Sequence, residues 1–211
     1  MLDRPVLRGW IHAVATPCSL AATTILACRA TTAPAVAATV VFAVCSVELF
    51  GVSAVYHLGN WSARVRAVLG RVDHADILFL IAGTYTPLSV LVLRGGERIA
   101  VLSVVWVAAV LGALSLIAWA GLPRSARVAA YVVLGWVAIP VLPELLRSAG
   151  PATLLVAAGG GLYTLGALVY GRRRPDPWPR VFGFHEVFHC LTVAAFACQF
   201  IAVWLVVRGT G

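Results

Sequence analysis

Charged residues are scarce in this sequence, and lysine is missing altogether. Only 11% of the 211 residues are charged, against about 25% in soluble globular domains. With 61% hydrophobic residues and a mean hydropathy of +0.95, this deficit excludes an ordinary soluble domain and predicts an integral membrane protein. Because lysine is absent, all 16 basic residues are arginines, and with 8 acidic residues they give a net charge of +8.

Cysteine pairing motifs are also missing. The five cysteines lie within or at the ends of apolar runs, and no two of them have Cys-x-x-Cys spacing: Cys18, Cys28, Cys45, Cys190 and Cys198. We interpret them as small hydrophobic residues rather than as disulfides or thiolate ligands.

Long apolar runs take up most of the chain. Seven runs of roughly 18 to 24 residues are long enough to cross the hydrocarbon core of a bilayer: about 10–28, 35–58, 72–93, 99–120, 127–146, 151–170 and 181–207. The first has the length of a full span, so we interpret it as a helix and not as a signal peptide. Because lipid leaves exposed backbone polar groups unsatisfied, we expect helices. The sequence predicts an all-α membrane protein, a seven-transmembrane helix bundle with a single domain over residues 1–211.

The arginines are distributed unevenly between the two sides of such a bundle. Eleven of the 16 fall on the side that holds the N-terminus and the loops after the second, fourth and sixth runs. By the positive-inside rule, the N-terminus is cytoplasmic and the C-terminus lies outside, in the cell membrane. Anionic lipid head groups, and not nucleic acid, are then the expected partners of the cytoplasmic arginines. The oligomeric state is not indicated by the sequence.

Two histidines near the start of the last run suggest a metal site. His185 and His189 lie four residues apart, about 40° apart around a helix, so both imidazoles can reach one ion. The string His-Glu-x-x-His is also typical of zinc peptidases, in which the glutamate is the general base. A third ligand must lie upstream, because residues 190–211 contain no His, Asp or Glu. The alternative is a pair of histidines packed at a helix end.

Other ionisable residues converge on the same depth in the membrane. In the predicted orientation, His57 ends the second run and Asp73 begins the third, both at the cytoplasmic boundary. His57 supplies a third imidazole, and three imidazoles with one water form a known catalytic zinc arrangement. Asp73 could hold that water or act as a general base, and Ser53 could donate a hydrogen bond to a developing oxyanion. The structural alternatives are a helix N-cap for Asp73 and a hydrogen bond within its own helix for Ser53.

Four further polar residues are less clearly connected with a function. We interpret Asp76 as structural and His74 as interfacial, since the latter points about 100° away from Asp73 on a helix. Glu186 is similarly out of phase with His185 and is expected to contact neighbouring helices or arginines. Glu48 has no assigned role. The small residues of the sixth run predict a span in the centre of the bundle.

These motifs together resemble those of a known family. Ser53-x-x-x-His57, Val72-Asp73-His74, the segment from Leu80 to Pro87, the segment from Gly161 to Gly166 and His185-Glu186-Val187-Phe188-His189 are similar to those of the bacterial hemolysin III family. That family belongs with the progestin and adiponectin Q receptors and, more distantly, with alkaline ceramidases. The resemblance implies seven spans, a cytoplasmic N-terminus and zinc bound by His57, His185 and His189, with Asp73 near the zinc-bound water and Ser53 nearby.

Three functions are compatible with this pattern. The first is a zinc-dependent lipid amidase or esterase of the ceramidase-like type, with membrane lipid as its substrate. The second is a membrane sensor or regulator in which zinc is structural. The third is a pore, which would need charged rings or a polar stripe through several spans.

Overall fold

Helices dominate the computed structural model, which describes residues 5–119 and 121–209. They are α1 (Trp10–Arg29), α2 (Ala33–Leu58), α3 (Ala63–Val92), α4 (Gly95–Ala118), α5 (Arg124–Gly135), α6 (Leu142–Arg172) and α7 (Phe184–Gly209). A short 3-10 helix, Ile139–Val141, precedes α6. No β-strand occurs among these described residues, so the all-α prediction is confirmed.

Six helical segments of the described chain are long and apolar enough to cross a membrane. They are α1, α2, α3, α4, the 49-residue stretch Arg124–Arg172 that contains α5 and α6, and α7. Large apolar side chains lie exposed on their outer faces, such as Val14, Val107 and Leu154. Lipid tails are as apolar as these side chains, so exposure to a bilayer carries no penalty. The chain is therefore an all-α, multi-pass membrane protein.

The third helix begins earlier than the sequence suggested. The sequence placed the start of the third run at about residue 72, with the polar residues 59–71 as the loop before it, but α3 begins at Ala63. It follows Ser62, whose hydroxyl accepts a hydrogen bond from the Val65 amide. Arginine is a good helix former, so the polar segment continues the helix beyond its apolar part. The possible N-cap role of Asp73 is therefore wrong, because Asp73 lies well inside α3.

The fifth run is interrupted within its length, whereas the boundary predicted between the fifth and sixth runs coincides with a break in the helix. α5 ends at Gly135, and the prolines that follow it, Pro140 and Pro143, have no amide hydrogen to continue its hydrogen bonding. The predicted boundary at residues 147–150 lies inside α6, where Ala149 has a non-helical backbone with φ −149° and ψ 48°.

α3 lies at the centre of the helical packing. One apolar cluster joins its residues Leu80 and Leu88 to α1, α2, α6 and α7, and a second joins Leu78 and Ala82 to α4 and α5. About 61% of its membrane window is buried, the largest share among the six segments of the described chain. The central position expected for the sixth span stays a prediction. The small residues of this span allow close contact with α7, where a Cβ on Gly159 would lie 2.7 Å from Gln199 Nε2.

Candidate metal centre

Three helix ends bring the candidate site together. His57 is the second-to-last residue of α2, and His185 is the second residue of α7. His189 follows one turn later on the same face of α7, because four residues make about one helical turn. The segment before α1 crosses this end of α2 closely, since a Cβ on Gly9, which has φ +86°, would lie 2.8 Å from His57 Cβ.

The three histidines form one compact group. Each offers a ring nitrogen, and these nitrogens lie within 4.8 Å of one another. The Nε2 atoms of His57 and His185 are 3.1 Å apart. Metal–nitrogen bonds of about 2.0–2.1 Å in a tetrahedral site place neighbouring ligand nitrogens about 3.3 Å apart. The group is therefore of the right size and chemistry to hold a metal ion, with His189 fully buried and the other two largely so.

The structure also brings Asp73 and Ser53 to this group. The carboxylate Oδ2 of Asp73 is 3.9 Å from His57 Nε2, and the Ser53 hydroxyl lies beside the same carboxylate. Ser53 is 2% exposed, whereas the Asp73 side chain keeps 14% exposure. All five residues chosen from the sequence thus share one end of the bundle, and their catalytic or ligand roles remain predictions.

His12 is a part of this region that the sequence reasoning missed. Its ring stacks on that of His189, with centroids 3.8 Å apart and planes 2° apart, and its edge meets Phe50. The residue is 3% exposed, and neither ring nitrogen has a hydrogen-bond partner in the part of the chain that the structure describes. An ionisable residue in the first turn of a predicted span was a usable signal, since such residues are rare in membranes. His12 holds the plane of the His189 ring.

The acid of the His-Glu-x-x-His string is engaged elsewhere. The Glu186 carboxylate accepts hydrogen bonds from Arg8 Nε and from the Gly183 amide, and Glu186 is 1% exposed. The expected contact with an arginine is therefore present. Because this carboxylate is fully paired and does not line the cavity beside the histidines, the geometry disfavours a peptidase-type general base.

A Glu186→Gln variant tests this separation of roles. We expect it to retain metal and to lower the free energy of unfolding by about 1.5–3 kcal/mol, the usual value of a hydrogen bond to a charged group. Thermal unfolding and metal content of the purified protein measure the two quantities. Loss of metal with unchanged stability would contradict this assignment.

Two of the remaining polar residues, His74 and Asp76, lie outside the three-histidine group. His74 hydrogen-bonds through Nε2 to the Tyr170 hydroxyl at 3.0 Å and through Nδ1 to the Gly70 carbonyl, so it is not part of the three-histidine group. Asp76 is buried with Oδ2 unpaired and does not line the cavity beside the histidines.

A largely apolar cavity of about 380 Å³ begins at the histidines. Ser53, Asp73 and His12 line its polar end, and apolar side chains of α3, α4, α6 and the 3-10 helix line the other, including Leu88, Leu93, Val101, Val141 and Leu145. At about 1.5 Å per residue, α3 from Asp73 to Leu93 is about 30 Å long, close to the thickness of a bilayer core. The volume is within the usual range for ligand sites, and the length suits an extended chain.

The fold and the site together define a class: multi-pass helical membrane proteins with a buried group of three histidines that could hold a metal ion. Comparison with known proteins gives the family. The chain belongs to the haemolysin-III related family, whose family model matches residues 1–200. The family resemblance in the motifs is thereby confirmed, and the chain is a multi-pass protein of the cell membrane.

Two relatives show how far the similarity extends. Hemolysin-3 of Bacillus cereus is 29% identical over 148 residues, which are 70% of this chain and 65% of that protein. The Hemolysin-3 homolog of Bacillus subtilis (strain 168) is 29% identical over 141 residues, 66% of this chain and 63% of that protein. The matched region thus spans less than two thirds of either relative.

Proposed function

We propose that this protein is a zinc-dependent hydrolase that cleaves an amide or ester bond of a membrane lipid. The observation that carries the proposal is the position of the three-histidine group, with Asp73 and Ser53, at the polar end of a long apolar cavity. A hydrolytic centre needs an activated water and a place for the scissile bond, and a lipid substrate needs room for its chain.

The donor set fits zinc better than it fits magnesium or calcium. Imidazole nitrogens suit zinc, whereas magnesium and calcium prefer oxygen ligands. His57, His185 and His189 would hold the zinc, which would supply a Lewis acid and would lower the pKa of a bound water towards neutral pH.

The chain's own residues then handle protons and orientation. The Asp73 carboxylate, 3.9 Å from His57 Nε2, accepts the proton of the attacking water and returns it to the leaving amine or alcohol. Ser53 donates a hydrogen bond to this carboxylate and orients it, or donates to the oxygen that gains charge as the carbonyl is attacked. The stacked ring of His12 keeps His189 in place during turnover.

The cavity supports a substrate with one polar end and one long apolar part. Its walls beyond Asp73 are formed mainly by Leu, Ile, Val and Ala side chains, including Ile77, Leu80 and Val156. An acyl chain placed there would bring its first carbonyl to the histidines. Ceramides and acylated phospholipids share this plan.

We also propose a seven-span topology with the N-terminus inside. The Arg124 guanidinium lies 4.2 Å over the Tyr170 ring, and Trp136 Nε1 donates to Thr164 Oγ1 at 3.1 Å. The earlier residue of α5, Arg124, contacts the later residue of α6, Tyr170, and Trp136 after α5 contacts the earlier Thr164. α5 therefore runs antiparallel to the last part of α6. Two membrane passes between Arg124 and Arg172, with their boundary at Ala149, explain this antiparallel pairing. The excess of arginines on the side of the N-terminus supports the orientation.

The test is an assay of purified, zinc-loaded protein against ceramides and ester-linked acyl lipids in mixed micelles. We expect release of free fatty acid that stops after metal chelation and returns when zinc is added back. A metal-free preparation with undiminished turnover, or zinc-loaded protein with no turnover on any acyl lipid, would refute the proposal.

A regulator with a structural metal is the second candidate. It is favoured by the 3.9 Å distance between Asp73 Oδ2 and His57 Nε2. A small movement would let the Asp73 carboxylate fill a fourth coordination position of the metal, which would leave no position for water. The Hemolysin-3 name of the relatives suggests a pore as the third candidate, but α1 before Arg29 and α4 after Arg98 carry no charged residue that could line one.

A further inference from the structure

A second pocket, of about 460 Å³, lies on the other side of His74 from the metal centre. Tyr56 and His74 line both this pocket and the cavity described above. Its other walls come from the start of α3, the end of α4 and the start of α5. The lining includes three arginines and no Asp or Glu: Arg66, Arg71 and Arg127.

The positive charges of these arginines are not balanced by nearby carboxylates of the described residues. All three are half-buried, and none lies within 4.0 Å of a carboxylate oxygen of the described residues. Arg71 donates one hydrogen bond, to the Ile117 carbonyl at 3.3 Å. The buried Nε of Arg127 has no hydrogen-bond partner among residues 5–119 and 121–209. Guanidinium groups sharing a pocket repel one another, so the arrangement calls for an anion that accepts several hydrogen bonds.

The opposite wall of the pocket is apolar. Leu116, Trp119 and Leu122 lie at the end of α4 and in the connection to α5, and Trp119 is 72% exposed. Tryptophan favours the boundary between head groups and acyl chains, which places this wall at the membrane surface. The pocket therefore combines a cationic inner side with an apolar outer side that faces lipid.

We propose that this pocket binds the phosphate group of an anionic phospholipid. Planar guanidinium groups bind phosphate oxygens in pairs, and basic pockets between membrane helices are suited to anionic head groups. The acyl chains would lie outside the pocket, against Leu116, Trp119 and Leu122. This site is separate from the metal centre and does not depend on the hydrolase proposal.

The experiment is a titration of the purified protein in neutral detergent with phosphatidylglycerol, followed by thermal unfolding and by native mass spectrometry. We expect a rise in Tm and one tightly bound lipid per chain, and neither with phosphatidylcholine. Loss of one pocket arginine, in Arg66→Gln or Arg127→Gln, should weaken binding about fivefold, the effect of one cation near an anionic surface. The double variant should bind no phosphatidylglycerol specifically.

The matched control is Arg64→Gln, which removes the same charge from the same helix turn at an exposed position outside the pocket. We expect it to bind like the wild type. Equal weakening in Arg64→Gln would show a diffuse charge effect and overturn the proposal. An equal Tm rise with inorganic phosphate would overturn its lipid part. Since the Arg66 guanidinium makes no hydrogen bond to the described residues, Arg66→Gln keeps the test valid if Arg127→Gln fails to fold.

Discussion

The His57→Ala variant is expected to lose its bound metal while remaining folded. His57 is the one member of the three-histidine group that comes from α2, and its Nε2 lies 3.1 Å from that of His185. With it removed, His185 and His189 on one helix offer only two ligands, too few for a tetrahedral zinc site. Elemental analysis should find about one zinc per chain in the wild type and almost none in the variant.

The matched control for this experiment is His74→Ala. His74 lines the same cavity but bonds to Tyr170 and Gly70, outside the three-histidine group. We expect this control to retain its zinc. Full zinc occupancy in His57→Ala would show that the three-histidine group is not the metal site and would contradict the proposed function. An equal loss of zinc in His74→Ala would show that the effect of the alanine substitution is not specific to ligands.

The candidate site could be found from the sequence because membrane spans restrict where ionisable residues occur. His57, Asp73 and the α7 histidines each lie at the end of an apolar run, and the arginine distribution puts those ends on one side. Helix periodicity then gives the shared face of His185 and His189. The observed distances within the three-histidine group agree with this reasoning.

Features that depend on packing between helices could not be predicted from the sequence. His12 is a single histidine whose stacking on His189 depends on how α1 leans against α7, which no spacing within the sequence specifies. The pairing of Glu186 with Arg8 joins residues from the two ends of the chain. The helical start of α3 was missed because hydropathy marks where a helix meets lipid and not where it ends in water.

The Asp73→Asn variant should keep its zinc and lose most of its turnover. Asparagine has the same shape as aspartate, so the contacts with Ser53 and the neighbourhood of His57 are preserved, but the amide does not accept a proton. Loss of a general base typically costs a factor of about 10² to 10⁴ in rate. Measurement of kcat on a ceramide or acyl lipid, alongside zinc content, separates chemistry from metal binding.

Asp76→Asn provides the matched control for Asp73→Asn, since it makes the same change one turn further along α3 at a position that does not line the cavity. We expect kcat within about twofold of the wild type, because no proton of the reaction reaches it. If Asp73→Asn instead loses zinc together with activity, Asp73 is a fourth ligand and the structural-metal alternative gains the support. If Asp73→Asn turns over at the wild-type rate, Asp73 is not the base, and proton transfer must be assigned to another group of the cavity wall.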